Sequence, residues 1–357
     1  MDFTFSDDQR DLRDAMRDFL AIETRPELQR KRWQTADGRP TELWQQFAAQ
    51  GLAGLSVPEE AGGLGMGDLE WMLMAQELGY CAVDDSVVDT CWIAVALLRS
   101  LPPDHPLPAQ WLEKVAAGEA RIAVGHATNP LVADAHVADL LLLDHGGELH
   151  AVAPQTAKLI ANESIDLSRR LFRVEWQANS ATRVLAADAA APLWQAALDR
   201  GALAAAAQML GLGKRMLDLA IAYTADRKQF GKALGSFQAV KHLLADVAVK
   251  LEFARPVANR AAYALAHGRP AGLHVSHAKL TATEASNLAA RNCMQVHGAM
   301  GYTWEVDLQL YMKRAWALAG AWGDRGFHKA RVSDAIFNAA APLGPGATFP
   351  DRESDHA

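Results

Sequence analysis

The sequence contains only three cysteines, no strongly basic run and no long apolar segment. Cys81, Cys91 and Cys293 show no C-x-x-C spacing, which predicts buried free thiols in a reducing compartment. With a net charge of −7, the chain offers no basic run to neutralise nucleic-acid phosphates. No segment of about 18 apolar residues could span a membrane, and the acidic start MDFTFSDDQRD lacks the apolar core of a signal peptide. We therefore expect a cytoplasmic protein without a nucleic-acid partner or a membrane span.

Several common catalytic motifs are also missing. The twelve histidines form no H-E-x-x-H motif, so no metal site is expected, and no G-x-S-x-G elbow presents a serine nucleophile. GLGMG at 63–67 follows no strand, as a dinucleotide fingerprint would. GLGK at 211–214 lacks the spacing of a phosphate-binding loop. We interpret the first as a loop between helices and the second as a site of helix packing.

The residues that are present indicate helices on both sides of a small β region. Half of the residues are hydrophobic, which is enough for a large core. Ser6 and Gln9 form a capping-box pattern, and further helices are predicted near 40–50, 68–79, 84–98 and 111–118. Short apolar or alternating runs at 120–128, 138–144, 148–154 and 171–177 predict strands.

After about residue 191 the pattern returns to helix. Helices are predicted over 191–227, from Ser236 onward, and near 271–296, 305–319 and 326–340. In the second of these, apolar residues from Phe237 to Leu251 step by three and four, which predicts a packing seam toward a helix of this chain or of a partner. We predict a mostly α protein with an N-terminal helical domain at 1–118, a small β domain at 119–190, a helical bundle at 191–342 and a mobile tail at 343–357.

Two stretches of the helical part could bind a ligand. In DRKQFGKALGSFQ (226–238), Arg227, Lys228 and Lys232 surround an aromatic residue and could hold a phosphate, or form a solvated basic turn. In CMQVHGAMGY (293–302), Gln295 precedes small residues that could cradle a pyrophosphate or an adenine, or form an ordinary glycine helix end.

Together with the loop GLAGLSVPEEAGGLGMG (51–67), these two stretches resemble motifs of the acyl-CoA dehydrogenase family, and they occur in the family's order. The resemblance implies the family fold: an N-terminal helical domain, a β middle domain and a C-terminal four-helix bundle that mediates dimers. It also implies FAD, shared at a subunit interface, where one subunit's β domain holds the flavin ring and the neighbour's bundle grips the pyrophosphate and adenosine.

The half of the FAD site that grips a neighbour's nucleotide matches the family pattern. Carried over by position, the implied cofactor-binding residues are Arg227, Lys228, Gln229, Phe230, Phe237, Gln238, Gln295, Val296, His297, Gly298 and Ala299. Ala299 replaces the second glycine of the family's pair. The half that holds the flavin ring does not match, because Thr128–Asp134 lacks the acid and the glycine of the family's loop and the β region is short.

The catalytic base implied by the family is also missing. In most members it is a glutamate, and counting 27 residues on from Gln295 leads to Trp322, within AGAWGDRG. In a minority it lies on the first long helix of the bundle, and counting 26 residues back from Arg227 leads to Gly201. Asp324 and Asp199 are the nearest acids. The loop therefore resembles a site that has lost its catalyst.

This combination resembles the smaller, non-catalytic subunit of heteromeric α2β2 acyl-CoA dehydrogenases from bacterial degradation of steroid side chains and related bulky acyl-CoAs. It implies a paralogous partner subunit that carries the glutamate and binds the acyl-CoA, with an electron-transferring flavoprotein as acceptor. Two alternatives stay open: a self-sufficient acyl-CoA dehydrogenase that uses Asp324 as its base, and a flavin-free scaffold that stabilises a partner.

Overall fold

The computed structural model describes residues 4–338, most of which are helical. The predicted tail at 343–357 and the predicted bundle boundary at 342 lie outside the described residues. The helices are α1 (Asp7–Glu23), α2 (Pro26–Trp33), α3 (Thr41–Ala49), α4 (Asp68–Tyr80), α5 (Val95–Arg99), α6 (Pro106–Ala116), α7 (Ala187–Asp226), α8 (Gln238–Ala266), α9 (Gly272–His297), α10 (Leu308–Gly320) and α11 (Arg325–Phe337). The main strands are β1 (Ile122–Gly125), β2 (Val132–Ala133), β3 (Leu140–His145), β4 (Glu148–Val152), β5 (Lys158–Asn162), β6 (Leu171–Glu175) and β7 (Arg183–Leu185). The predicted mostly α class with a small β region is confirmed.

The start of α1 follows a local sequence signal, whereas two other N-terminal helices differ from the prediction. The capping box at the start of α1 is complete, because Ser6 Oγ accepts from the Gln9 N–H at 3.2 Å and the Ser6 N–H donates to Gln9 Oε1 at 3.0 Å. Helix α2, PELQRKRW, was not predicted, since its charged sequence has no apolar period. The helix predicted at 84–98 instead begins with a π-helical segment, Asp89–Ala94, that continues into α5.

The β region forms two small sheets. The first has the order β1-β3-β4-β7, with β1 parallel to β3 and the other pairs antiparallel, and the second has the order β2-β6-β5. The four predicted strands correspond to β1, β3, β4 and β6. Strands β2 and β7 contain only two and three residues, too few for a periodic pattern, and β5 was also not predicted.

The N-terminal helices dock on the bundle through two glycines. A Cβ atom on Gly79 of α4 would lie 2.1 Å from the Gln208 carbonyl oxygen, and one on Gly211 of α7 would lie 2.0 Å from that of Gln76. Only glycine permits the two helix backbones to approach so closely. The interpretation of GLGK as a helix-packing site is therefore confirmed.

The apolar seam of α8 packs within this chain. Val247 is fully buried, and Leu251 is 5% exposed and lies against Gly213 of α7. On the neighbouring α9, the Asn292 side chain donates to the Leu243 carbonyl oxygen at 2.9 Å. The seam therefore belongs to the core of the bundle.

The three cysteines are buried and unpaired, as predicted. Burial raises the pKa of the Cys81 thiol to about 11 and that of Cys293 to about 12, so both remain neutral near neutral pH. Between residues 4 and 338, no helix combines the length and the apolar character that crossing a membrane requires.

Candidate functional site

The two positions at which the resemblance places a catalytic base lie against each other. Gly201 is buried within α7, and Trp322 follows the end of α10 with 5% of its surface exposed. A Cβ atom on Gly201 would lie 2.2 Å from Cδ2 of the Trp322 indole. The ring therefore occupies the space that any side chain at position 201 would need, and neither position carries a proton acceptor.

Trp322 also contacts the β region. Its ring centroid lies 5.7 Å from that of His126, which in turn lies 5.5 Å from the ring of Trp194 on α7. The main-chain N–H of Trp322 donates a hydrogen bond to Asn129 Oδ1 at 3.1 Å. Burial lowers the pKa of His126, so its imidazole stays neutral among these rings. Part of the 128–134 stretch is thus in contact with the tryptophan.

Gly201 and Trp322 both line a partly open cavity of about 70 Å³. That volume holds a few water molecules, whereas ligand pockets usually measure about 300–1,000 Å³. Most of the polar lining is charged; the charged side chains are Arg39, Asp84, Asp85, Asp89, Asp134, Arg169, Arg170 and Arg314. An apolar acyl chain would displace water from these groups, so the lining suits water rather than an acyl group.

Two acids of the cavity wall have unusual titration behaviour. Burial raises the pKa of Asp89 to about 7 despite the nearby Arg169 guanidinium. Burial likewise raises the pKa of Asp85 to about 6, against the opposing effect of Arg121. In the described part of the chain, no group of three or more histidine, cysteine or acidic side chains is arranged to hold a metal ion. Both acids are only partly exposed.

Arg39 joins the N-terminal helices to the β region beside this cavity. Its Nε donates to Asp134 Oδ2 at 2.8 Å, and its Nη2 donates to the Ser168 carbonyl oxygen at 2.8 Å. The Asp134 carboxylate also accepts from the N–H and the hydroxyl of Ser86. Although burial alone would raise the pKa of Asp134, Arg39 and Ser86 hold it below its ordinary value.

Arg314 of α10 makes a second connection between parts of the chain. Its guanidinium donates to the Asp166 carboxylate, to Ser168 Oγ and to the Val83 carbonyl oxygen. Arg314 is not among the site residues predicted from the sequence. The sequence does carry a signal, because KRA at 313–315 stands where the family motif has RDA, which reverses the charge at position 314.

Asp324 and Asp199, the acids nearest to the two expected base positions, both have hydrogen-bond partners outside the cavity. Asp324 is exposed and caps α11, where its Oδ1 accepts from the Phe327 N–H at 2.8 Å. Asp199 is 5% exposed, forms an ion pair with Arg331 at 2.8 Å and accepts from the Gln195 side chain at 3.1 Å. Neither acid is among the described residues that line the cavity.

The two stretches predicted to hold a nucleotide meet at one end of the bundle. Arg227 follows α7, whose Tyr223 ring stacks on His297 near the end of α9 with the centroids 4.3 Å apart. The Tyr223 hydroxyl lies 3.3 Å from the His297 carbonyl oxygen and donates to it. The ends of α7 and α9 are therefore adjacent, and residues 227–238 and 295–299 at these ends are termed here the hairpin surface.

The residues of the hairpin surface differ in how they face solvent. A two-stranded hairpin pairs Lys228–Gln229 with Lys232–Ala233, and Phe230 at its tip is 91% exposed. The exposed members of the predicted set are Arg227, Lys228, Gln229, Phe230, Gln238, Gln295, Gly298 and Ala299. Phe237 is half-buried, with Lys232 Nζ 4.4 Å above its ring. Val296 and His297 are buried, so only their main chain could contact a ligand.

Comparison with known proteins identifies the family. Family models described as the acyl-CoA dehydrogenase N-terminal and C-terminal domains match residues 6–119 and 191–337. The chain belongs to the acyl-CoA dehydrogenase family. It is 33% identical over 306 residues to the acyl-CoA dehydrogenase IpdE2 of Mycobacterium tuberculosis, covering 85% of this chain and 89% of that protein.

Solved structures of this family share the fold. The ChsE4–ChsE5 complex from Mycobacterium tuberculosis contains a chain that is 25% identical, with a TM-score of 0.82 and coverage of 96% of this chain and 100% of that one. Butyryl-CoA dehydrogenase from Megasphaera elsdenii matches with the same TM-score at 20% identity, covering 95% of this chain and 100% of that one. The helical and β parts thus have the arrangement of an acyl-CoA dehydrogenase.

Proposed function

We propose that this acyl-CoA dehydrogenase family member is a non-catalytic subunit that completes the FAD site of a paralogous, glutamate-bearing partner. The observation that carries the proposal is the contact of the Trp322 indole with Gly201. The two positions that could hold a base are thereby filled by a ring and a glycine. The desaturation of the acyl-CoA thioester would then take place in the partner.

The hairpin surface has the chemistry required to hold the nucleotide part of FAD. Arg227, Lys228 and Lys232 have no carboxylate partner within the described chain, so their charges are available to a pyrophosphate. Phe230 and Gln295 are exposed beside them and could contact the rest of the nucleotide. When bound, FAD supplies the hydride acceptor of the reaction.

The packing around Trp322 supports placing the flavin ring in the partner. The His126 ring contacts both Trp194 and Trp322, and the cavity that Trp322 lines is small and charged. We therefore assign the flavin ring and the acyl-CoA to the partner, with an electron-transferring flavoprotein as acceptor. The similar chain of known structure belongs to the ChsE4–ChsE5 complex, which supports a heteromeric arrangement, and we propose the stoichiometry α2β2. As substrate class we propose the acyl-CoAs of steroid side chains or similarly bulky acyl groups.

The decisive experiment is to co-express the full chain with a paralogous acyl-CoA dehydrogenase encoded beside it and to count flavins in the purified complex. We expect fewer flavins than chains, because only the partner offers a complete seat for the ring. The isolated chain should neither retain FAD nor oxidise an acyl-CoA. An isolated chain with stoichiometric FAD and turnover would contradict the proposal.

Arg227→Ala tests the hairpin surface within that complex. Loss of charge-assisted hydrogen bonds worth about 1.5–3 kcal/mol should weaken FAD binding about 10- to 100-fold. Flavin content is measured by absorbance after dialysis. Arg255→Ala is the control, since Arg255 lies on α8 in an exposed ion pair with Glu252 and should leave flavin content unchanged. If Arg227→Ala also leaves it unchanged, the flavin-free scaffold is favoured instead.

A further inference from the structure

A buried lysine holds the loop that carries Trp322. Lys279 of α9 is 1% exposed. Its ammonium nitrogen lies near four main-chain carbonyl oxygens, those of Leu318 at 2.8 Å, Ala319 at 3.2 Å, Ala321 at 2.7 Å and Gly323 at 3.3 Å. These carbonyls belong to the end of α10 and to the loop after it. One side chain therefore ties together the residues on both sides of Trp322.

The four carbonyl oxygens around the Lys279 ammonium, termed here the carbonyl cage, favour a positive charge. The last carbonyls of a helix have no partner within the helix and carry the negative end of its dipole, so an ammonium group satisfies both needs. Lys279 has no ion pair in the described chain, although Asp324 exerts a longer-range attraction. Burial and then Arg169 lower the pKa of Lys279 to about 7, and Asp324 opposes them. The cage is thus the main source of favourable contacts for this buried group.

The loop needs such support because its backbone is strained. Trp322 has φ +55°, a left-handed conformation that bulky residues rarely adopt. Its carbonyl oxygen is held by His328 Nε2 at 3.0 Å, and the other ring nitrogen of His328 contacts Ser276 Oγ at 3.1 Å. Strained conformations persist only where the surroundings determine them. Here the surroundings are two buried side chains, Lys279 and His328.

We propose that Lys279 is a positioning residue whose ammonium sets the loop at 318–323 so that Trp322 packs on Gly201 in the cavity wall. Leu318, Ala321 and Trp322 all line that cavity, so the position of this loop determines the shape of the cavity wall. The role of Lys279 concerns the position of Trp322 in this chain and is independent of whether the hairpin surface holds FAD. Its failure would therefore leave the proposed function untouched.

The test uses the full chain, alone or with its co-expressed partner, labelled with 5-fluorotryptophan. The Trp322 fluorine resonance is assigned with Trp322→Phe, and that of Trp71, a fully buried N-terminal residue stacked on Trp92, is assigned in the same way as an internal control. Lys279→Ala removes the ammonium and most of its stem. Lys279→Met removes the charge and keeps the volume. Added n-propylammonium replaces the missing group in the alanine variant, and n-butanol is its uncharged counterpart.

In both variants we expect the wild-type Trp322 resonance to be lost and a solvent isotope shift to appear, with the Trp71 resonance unchanged. Propylammonium should restore the wild-type signal in Lys279→Ala, and butanol should not. An unchanged Trp322 resonance, or equal rescue by butanol, would overturn the proposal. If neither variant folds, refolding of Lys279→Ala with propylammonium but not with butanol supports it, and refolding with neither contradicts it.

Discussion

Gly201 lies in the interior of the 40-residue helix α7, where glycine costs about 1 kcal/mol relative to alanine. The reason for glycine is therefore a contact rather than a helical preference. Three atoms of the Trp322 indole would lie 2.2–2.6 Å from a Cβ at this position. The two residues are complementary, and a substitution at one depends on the residue at the other.

This dependence predicts that Gly201→Ala changes the free energy of unfolding in opposite directions with and without the Trp322 indole. Gly201→Ala alone should lower stability by about 1–3 kcal/mol, because the added methyl overpacks against the indole. In a Trp322→Ala background the same change should raise stability by up to about 1 kcal/mol, because only the helical preference remains. Urea unfolding of the four chains measures both values. Equal effects of Gly201→Ala in the two backgrounds would show that the two side chains do not share this space.

At the scale of single elements, the hairpin after α7 combines exposure with strain. Phe230 and Gly231 occupy its two-residue loop with φ +51° and +79°, the backbone signs of a type I′ turn. Asparagine and glycine favour this turn, whereas phenylalanine in a left-handed conformation costs about 1–2 kcal/mol. An aromatic side chain that is 91% exposed gains no burial in return within this chain. The strain is consistent with a role in contacting the partner or its nucleotide.

We therefore expect Phe230→Asn to separate stability from cofactor binding. Relief of strain should raise the melting temperature of the isolated chain by a few degrees, while the flavin content of the complex falls because an aromatic contact is lost. Differential scanning fluorimetry and flavin absorbance measure the two effects. Gly231→Ala is the matched control and should lower the melting temperature, since it adds a Cβ at positive φ. A rise in stability with full flavin content would remove Phe230 from the proposed site.

On the scale of the whole molecule, the N-terminal helices, the β region and the bundle meet around the charged cavity. Arg39 and Arg314 link residues that are far apart in the chain, the latter pairing with Asp166 across 148 positions. Buried ion pairs are not in themselves strongly stabilising, but removal of one partner leaves an unpaired buried charge. The arrangement of the three parts should therefore be sensitive to single changes in this network.

The network predicts that the free energy of unfolding decreases at low pH. Burial alone would raise the pKa of Asp166, but Arg314 and Ser168 lower it below its ordinary value. The unfolded chain then takes up the proton first as pH falls. The stabilisation is complete above the ordinary value of about 4 and is lost as pH decreases through and below it.

Asp166→Asn should accordingly destabilise the chain by about 3–5 kcal/mol at pH 7 and flatten the loss of stability between about pH 5 and pH 2. Urea midpoints across that range provide the measurement. Asp7→Asn is the control, because Asp7 forms an exposed ion pair with Arg10 and such pairs contribute little. If the urea midpoint of Asp166→Asn falls with decreasing pH as steeply as that of the unmodified chain, other carboxylates cause the loss of stability in acid.

Local signals in the sequence determined much of the helical fold. The capping box at Ser6, the seam of α8 and the four longer apolar strand patterns depend on neighbours a few positions away, which the sequence displays directly. The family resemblance likewise rests on motifs whose residues and order are properties of the sequence. The absence of an acid at positions 201 and 322 is a third such property.

Only the tertiary structure decided what occupies the space where a base would act. Trp322 lies on Gly201 from 121 positions away in the chain, and Lys279 reaches carbonyls 39–44 positions further on. No periodicity or spacing rule encodes such contacts, because they arise from how complete helices pack. The small, charged cavity is therefore a consequence of the folded chain, whereas the missing base could be found from the sequence.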